Sequence, residues 1–213
     1  SKSQQTIYIG TDHGCYVLEN GKRTSLLKGY AVFSIYKGTQ NILWAGTDGK
    51  GIYQFFENSR FIHSPKLTNI ESPILAILQE DKTVWIGSKG NGLSRYQMVN
   101  EDSMVNTHNY DLGPGRSYNA VFSLCKGIDG KLFIGTDGNG LPFIENRKLQ
   151  KMIFKNPKDE KAVYSVYSIL QENDSTLYVG TSGNGLLKLT IKDNLVLRIN
   201  KYGLSQGRNS LES

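Results

Sequence analysis

Five stretches of this sequence repeat one short pattern, an apolar strand that runs into a glycine-rich turn. They read TIYIGTDHG (6–14), ILWAGTDGKG (42–51), TVWIGSKGNG (83–92), LFIGTDGNG (132–140) and TLYVGTSGNG (176–185). The glycines that align are Gly10, Gly46, Gly87, Gly135 and Gly180. They lie 36, 41, 48 and 45 residues apart. Self-similarity at such a period indicates a repeat architecture, and it constrains the fold more than any other feature.

Each repeat is expected to contain four short strands. The first strands read AVFSIY (31–36), ILAIL (74–78), AVFSLC (120–125) and VYSIL (166–170). The second strands carry an aromatic residue two positions before the aligned glycine, namely Tyr8, Trp44, Trp85, Phe133 and Tyr178. The third strands follow the turn, and the expected fourth strands read FIHSP, NTHNYD, KMIFK and VLRINKY. Short strands with closely spaced turn signals predict an all-β chain.

Four antiparallel strands in a repeat of roughly 40 to 45 residues are typical of a β-propeller blade. The predicted blade units of this single domain or fragment are 5–28, 29–70, 71–115, 116–160 and 161–202, and 203–213 is expected to be the first strand of a following blade. Two arrangements fit the sequence. The five blades form a closed ring, or they form an arc of a larger, seven-bladed propeller. In either case Trp44 and Trp85 are expected to pack between blades.

Composition excludes several classes of function. The net charge is +6, but Lys and Arg are scattered, whereas nucleic-acid binders concentrate basic residues on one face. No apolar run reaches the roughly 18 residues of a membrane span, and no signal-peptide pattern is present. Cys15 and Cys125 lie in different repeats without a Cys or His neighbour. This favours free thiols over a disulfide and argues against a zinc site.

The repeated pattern V-[FY]-S-[IL], then [LV]-[WFY]-[IVA]-G-[TS], then G-[IL] resembles the two-component regulator propeller repeat. It is carried by 31–52, 74–93, 121–141 and 166–186, with a partial copy at 7–17. The resemblance implies the periplasmic sensor region of a Bacteroides-type hybrid histidine kinase, which senses polysaccharide-derived oligosaccharides. Partners implied in the same way are the remaining sensor domains of the parent protein and a second copy in a homodimer.

Strand direction predicts where a site would lie. The segment before each first strand, here called the lead-in segment, shares one sheet edge with the glycine turns, and loops on such an edge often carry function. The candidate ligand-binding residues in these segments are Tyr30, Arg116, Tyr118, Asn119 and Tyr164. Tyrosine rings can pack against the C–H face of a sugar, and an amide can hydrogen-bond its hydroxyls. Arg116 could bind the carboxylate of an acidic sugar through two parallel hydrogen bonds. The alternative is that these residues bind no ligand: Arg116 is exposed to solvent, and the tyrosines pack beneath it.

Asp12, Asp48 and Asp137 recur in the turns and raise the question of a carboxylate cluster. Asp before Gly also favours a turn by itself, and Lys89 and Ser182 replace it in the other repeats, so we interpret these residues as turn formers. The sequence contains no nucleophile triad order, HExxH motif or P-loop, and it predicts no cofactor or metal. A non-catalytic sensor is therefore the leading hypothesis. A propeller glycosidase or lyase and a protein-interaction scaffold are the alternatives.

Overall fold

The computed structural model describes residues 6–39, 41–56, 62–63, 70–100, 103–113 and 119–202. The described residues form five sheets, called sheets 1 to 5 in chain order, in which nearly all strand pairs are antiparallel. The all-β prediction is thus confirmed. The chain divides into two compact units, Ser1–Asn109 with sheets 1 to 3 and Tyr110–Ser213 with sheets 4 and 5. The described part of the chain contains no apolar helix of the length that a bilayer crossing requires.

The described residues of the first unit form eleven strands. Sheet 1 consists of β1 (Thr6–Thr11), β2 (Gly14–Glu19) and β3 (Lys22–Lys28). Sheet 2 consists of β4 (Val32–Lys37), β5 (Ile42–Thr47), β6 (Ile52–Phe56) and β7 (Ile62–His63). Sheet 3 consists of β8 (Ile74–Glu80), β9 (Thr83–Ser88), β10 (Leu93–Asn100) and β11 (Ser103–Tyr110). In each sheet the strands lie side by side in chain order, as the four-strand repeat predicts.

The second unit repeats this order. Sheet 4 consists of β12 (Val121–Lys126), β13 (Leu132–Thr136), β14 (Pro142–Glu145) and β15 (Lys148–Lys151). Sheet 5 consists of β17 (Val166–Asn173), β18 (Thr176–Thr181), β19 (Gly185–Lys192) and β20 (Leu195–Tyr202), joined by β16 (Ile153–Phe154). A 3₁₀-helix, Pro157–Val163, precedes β17, and the Asn156 side chain caps its first turn.

One predicted strand is wrong. KMIFK was expected to be the fourth strand of its repeat, but the fourth strand is β15, and β16 pairs in parallel with β20 of the next sheet. The reason is the turn between β14 and β15. Asn146 and Arg147 both adopt a positive φ, 51° and 63°, as a tight two-residue hairpin requires. This turn brings the chain back earlier than the sequence pattern suggests.

Gly46 and Gly135 have no space for a Cβ because the next sheet approaches closely, and neither of them has a positive φ. A Cβ on Gly46 would lie 2.6 Å from Cγ2 of Ile74, in the first strand of sheet 3. A Cβ on Gly135 would lie 2.7 Å from the carbonyl oxygen of Val166, in the first strand of sheet 5. Ser34 adds a hydrogen bond of 3.0 Å to the carbonyl oxygen of Ile74. Each such glycine therefore provides the space for an apolar residue of the next sheet.

The hydrophobic core lies between consecutive sheets within each unit. Trp44 is fully buried between sheets 2 and 3, and its Nε1 donates to Oε1 of Gln79 at 2.9 Å. Trp85 is also buried and donates to Oε2 of Glu80 at 2.9 Å. In the second unit, Phe133 and Leu177 belong to one cluster shared by sheets 4 and 5. Blade closure remains a prediction, as do the predicted unit boundaries, and residues 203–213 lie outside the described part of the chain.

Candidate functional site

The lead-in segments and the glycine turns meet at one edge of each sheet, as the strand directions predict. In each turn, one residue follows the Thr or Ser. Its backbone amide donates a hydrogen bond to the carbonyl oxygen of the residue just before the first strand. This bond joins Asp48 to Ala31 at 3.0 Å, Lys89 to Pro73 at 2.9 Å, Asp137 to Ala120 at 3.2 Å and Ser182 to Ser165 at 3.0 Å. The edge is thus built by main-chain atoms, and the side chains upon it are free to differ.

Hydroxyl groups close the turns themselves. The Thr or Ser after each aligned glycine donates to the carbonyl oxygen of the last turn glycine, for example Thr47 to Gly51 at 2.6 Å and Thr181 to Gly185 at 2.8 Å. The turn glycines have positive φ, such as 104° at Gly90 and 71° at Gly92. Such angles disfavour residues with a Cβ. The turns therefore redirect the chain, as the sequence interpretation holds.

Two of the three recurrent aspartates, Asp12 and Asp137, have separate local partners. Asp12 forms an ion pair with Nδ1 of His13 at 2.6 Å, and the Asp137 carboxylate accepts a hydrogen bond from Ser165 at 2.8 Å. The hydrogen bond between Asp12 and His13 lowers the pKa of the carboxyl and raises the pKa of the imidazole. Within the described ranges, no three His, Cys, Asp or Glu side chains cluster as metal ligands.

Tyr30 is the candidate residue on the first unit's edge. Its ring lies 5.5 Å from the ring of Tyr53, with the planes tilted by 38°. Burial raises the pKa of Tyr53, and the hydrogen bond with Tyr30 raises it further. Both rings are partly exposed, so the pair is an aromatic surface beside the lead-in segment of sheet 2.

Asn119 braces the loop that precedes sheet 4. Its Oδ1 accepts from the Leu112 amide at 2.8 Å, and its Nδ2 donates to Asp111 at 2.9 Å and to the Gly113 carbonyl at 2.8 Å. The bond from Asn119, with one from the Gly113 amide, lowers the pKa of Asp111. Asn119 thus joins the two described ends of the segment in which two further candidates lie. Those two, Arg116 and Tyr118, lie outside the described residues.

Tyr164 follows the 3₁₀-helix of the second unit and is 49% exposed. Its carbonyl oxygen accepts from the amides of Gly138 and Gly140 at 3.0 and 3.1 Å. The Asp137 amide donates to the carbonyl oxygen of Ala120, and the Asp137 carboxylate accepts from the Ser165 hydroxyl. The turn of sheet 4 therefore connects the residues next to Asn119 and Tyr164. The structure therefore brings these two lead-in segments to one edge.

The two cysteines are free thiols, in agreement with the favoured interpretation. Cys15 is fully buried, and burial raises its pKa to about 11. Burial also raises the pKa of Cys125. Both thiols are therefore poorly suited to nucleophilic chemistry at neutral pH.

A groove of about 540 Å³ on sheet 3 was missed by the sequence interpretation. It is lined by Ile70, Ser94, Tyr96, Asn106 and Asn109, among others, and it reaches the lead-in edge at Asn91. A signal for it exists in the sequence. Ser94 and Tyr96 occupy third-strand positions at which the other repeats carry other side chains, and a position-by-position comparison of the repeats would have identified them.

Comparison with solved structures places the fold among known ones. The chain is similar to the extracellular domain of the hybrid two-component system BT3049 from B. thetaiotaomicron, with 21% identity and a TM-score of 0.69, over 96% of this chain and 28% of that one. It is also similar to the extracellular domain of the one-component system BT4673 from the same organism, with 19% identity and a TM-score of 0.71, over 94% of this chain and 26% of that one. This chain thus spans between a quarter and a third of either relative.

A third similar structure is a catalytically inactive virginiamycin B lyase from Staphylococcus aureus with quinupristin. It shares 16% identity at a TM-score of 0.65, over 99% of this chain and 74% of that one. At such identities the likeness concerns the fold. No family model matches the chain, and no curated protein matches it either.

Proposed function

We propose that this chain is a ligand-sensing segment in the periplasmic part of a hybrid two-component histidine kinase. The observation that carries the proposal is the fold likeness to two extracellular domains of signalling systems, each over at least 94% of this chain. In this proposal the five sheets are propeller blades. The parent protein supplies the remaining sensor domains, the membrane anchor and the kinase.

The proposed ligand is an oligosaccharide derived from a polysaccharide. The ring pair of Tyr30 and Tyr53 offers an apolar surface beside hydrogen-bonding groups, as small-molecule sites commonly do. The lead-in residues Arg116, Tyr118, Asn119 and Tyr164 remain candidates for the same role. Binding generates a signal only if the ligand prefers one arrangement of the sensor over another, so a change in the dimer or in neighbouring domains follows from differential affinity.

We propose no catalysis for this chain. Two of the three recurrent aspartates are engaged locally, Asp12 by His13 and Asp137 by Ser165, and no group of three or more His, Cys, Asp or Glu side chains gathers among the described residues. The similarity to a lyase favours the enzyme alternative only weakly, because a propeller fold hosts many unrelated functions.

Calorimetric titration of the 213-residue chain with neutral and acidic oligosaccharides tests the proposal. We expect saturable binding of at least one sugar, and chromatography after prolonged incubation should recover that sugar intact. Release of shorter products would instead establish the enzyme. Concentration-dependent self-association without any sugar binding, measured by sedimentation, would establish the interaction scaffold.

A further inference from the structure

A gap of about 830 Å³ lies between sheets 1 and 2 of the first unit. It opens at the edge opposite the glycine turns, where Thr6 begins β1, Glu19 ends β2 and Lys37 ends β4. Its volume lies within the range of small-molecule sites. The lead-in segments lie at the other edge, so this gap is separate from the candidate residues described above.

Two residues beside the gap differ from their equivalents at the next interface. Two positions before the aligned glycine, sheet 1 has Tyr8 where sheet 2 has the larger Trp44, and at the end of the first strand sheet 2 has Lys37 where sheet 3 has Gln79. Gln79 is only 4% exposed and accepts a hydrogen bond from the Trp44 indole at 2.9 Å, which closes the interface of sheets 2 and 3. Between sheets 1 and 2 the same positions hold a cation above a smaller ring, with Nζ of Lys37 6.0 Å from the Tyr8 ring centroid. The gap lies where these two side chains replace the tryptophan and the glutamine.

Apolar side chains form the floor of the gap. Leu43 and Phe55 of sheet 2 are buried in the cluster shared with sheet 1, and Tyr8 and Leu26 pack against that cluster from the side of sheet 1. Val17 extends the same surface. Such a floor favours a ligand with an apolar body, because binding removes apolar surface from water.

Three cationic side chains surround the mouth of the gap. Lys22, Arg23 and Lys37 line it and are exposed. The Arg23 guanidinium lies 5.2 Å from the Tyr16 ring centroid, a contact that holds it beside β2. Glu19 lines the same mouth, so the described lining carries one carboxylate beside the three cations. Lys and Arg bind carboxylates through charge-assisted hydrogen bonds, and the mouth therefore favours an anionic head group.

We propose that this gap binds an amphipathic organic anion, that is, a carboxylate joined to an alkyl or aryl body. The body lies against Tyr8, Leu43 and Phe55, and the carboxylate pairs with Arg23 and Lys37. The inference goes beyond the proposed sensing of sugars and does not depend on it.

The test is calorimetric titration of the whole chain with octanoate and 2-naphthoate. The neutral analogues 1-octanol and 2-naphthol keep the apolar body without the charge, and inorganic phosphate supplies charge without the body. Three variants alter the gap: Lys37→Gln removes a cation, Glu19→Gln removes the carboxylate, and Tyr8→Trp fills space. Lys126→Gln is the matched control, since Lys126 ends the first strand of sheet 4 as Lys37 ends that of sheet 2. Thermal unfolding of each variant verifies that it folds.

We expect at least one of the two organic anions to bind, and to bind more tightly than its neutral analogue. Lys37→Gln should weaken binding about 3- to 10-fold, the loss that one hydrogen bond predicts. Glu19→Gln should tighten binding about 2- to 5-fold, because it removes an exposed like charge. A gain in affinity cannot result from misfolding. Tyr8→Trp should weaken binding, and Lys126→Gln should leave it unchanged.

Equal binding of the anions and their neutral analogues would overturn the inference, since the cations would then contribute nothing. Phosphate binding as tight as that of the organic anions would do the same, because the apolar floor would be irrelevant. Equal losses in Lys37→Gln and Lys126→Gln, or a folded chain that binds neither organic anion, would also overturn it. These results leave the sensing of sugars untouched, because that proposal is tested with oligosaccharides.

Discussion

Replacement of Gly46 by alanine should destabilise the first unit, because the new methyl group has no space. Its Cβ would lie 2.6 Å from Cγ2 and 2.9 Å from Cβ of Ile74, and it would also meet Oγ of Ser34. Ile74 is fully buried and cannot move aside freely. Overpacking of this kind costs about 1–3 kcal/mol. Rotation of Ser34 to relieve the clash would break its bond to the Ile74 carbonyl, at a further cost of about 1 kcal/mol.

The assay is equilibrium urea unfolding followed by tryptophan fluorescence. Both tryptophans, Trp44 and Trp85, belong to the first unit, so the signal reports that unit alone. With a denaturant slope of about 2 kcal/mol/M, a loss of about 2–4 kcal/mol lowers the urea midpoint by about 1–2 M.

Gly180→Ala is the matched control, measured by far-UV circular dichroism. A Cβ there meets only Ser168 of the same sheet, whose hydroxyl can rotate away. Alanine also restricts the unfolded chain, a gain of about 0.4–1 kcal/mol. We therefore expect a change within about 1 kcal/mol. An unchanged midpoint for Gly46→Ala, or an equal loss in both variants, would refute the idea that close approach of the next sheet requires the glycine.

Three further outcomes are expected. Gln79→Leu leaves the buried Trp44 indole without an acceptor and should cost about 1–3 kcal/mol in the same urea assay; an unaltered midpoint would contradict the role of this bond. Asp12→Asn should lower the pKa of His13 towards 6.5 in an NMR titration. The raised pKa means that the pair favours folding below pH 6.5 and that this contribution disappears as pH rises through the raised value. Asn119→Ala should accelerate protease cleavage in the loop before sheet 4, and equal cleavage rates would show that its three hydrogen bonds do not order that loop.

Much of the fold could be predicted from the sequence because one strand pattern recurs. The repeated glycine identified the second strand of every sheet, and Trp44 packs between sheets 2 and 3 as expected. For Trp85, packing between sheets stays a prediction. Strand β15 could not be predicted in the same way. Its turn uses Asn146 and Arg147 at positive φ, and the arginine is not a residue that marks such a turn.

The candidate site was only partly predictable. The edge shared by turns and lead-in segments follows from strand direction, and the hydrogen bonds from Asp48 to Ala31 and from Asp137 to Ala120 confirm it. The groove on sheet 3 could not be predicted from loop residues, because Ser94, Tyr96 and Asn106 of its lining lie on strands. Tyr96 resembles an ordinary core aromatic until its position is compared with Phe55 and Leu189. Only the structure shows that it lines a groove.

The main-chain bonds between turns and lead-in segments have a consequence for how such chains diversify. Since the amide of Asp48 or Ser182 and the carbonyl of Ala31 or Ser165 make these bonds, their geometry does not depend on which side chains are present. A lead-in segment is therefore exchangeable. Transplanted from one repeat to another, it should keep its anchoring while it carries its own side chains along. Proteins built from such repeats can in this way acquire new surface side chains by recombination among their own repeats, with no change to the sheets beneath.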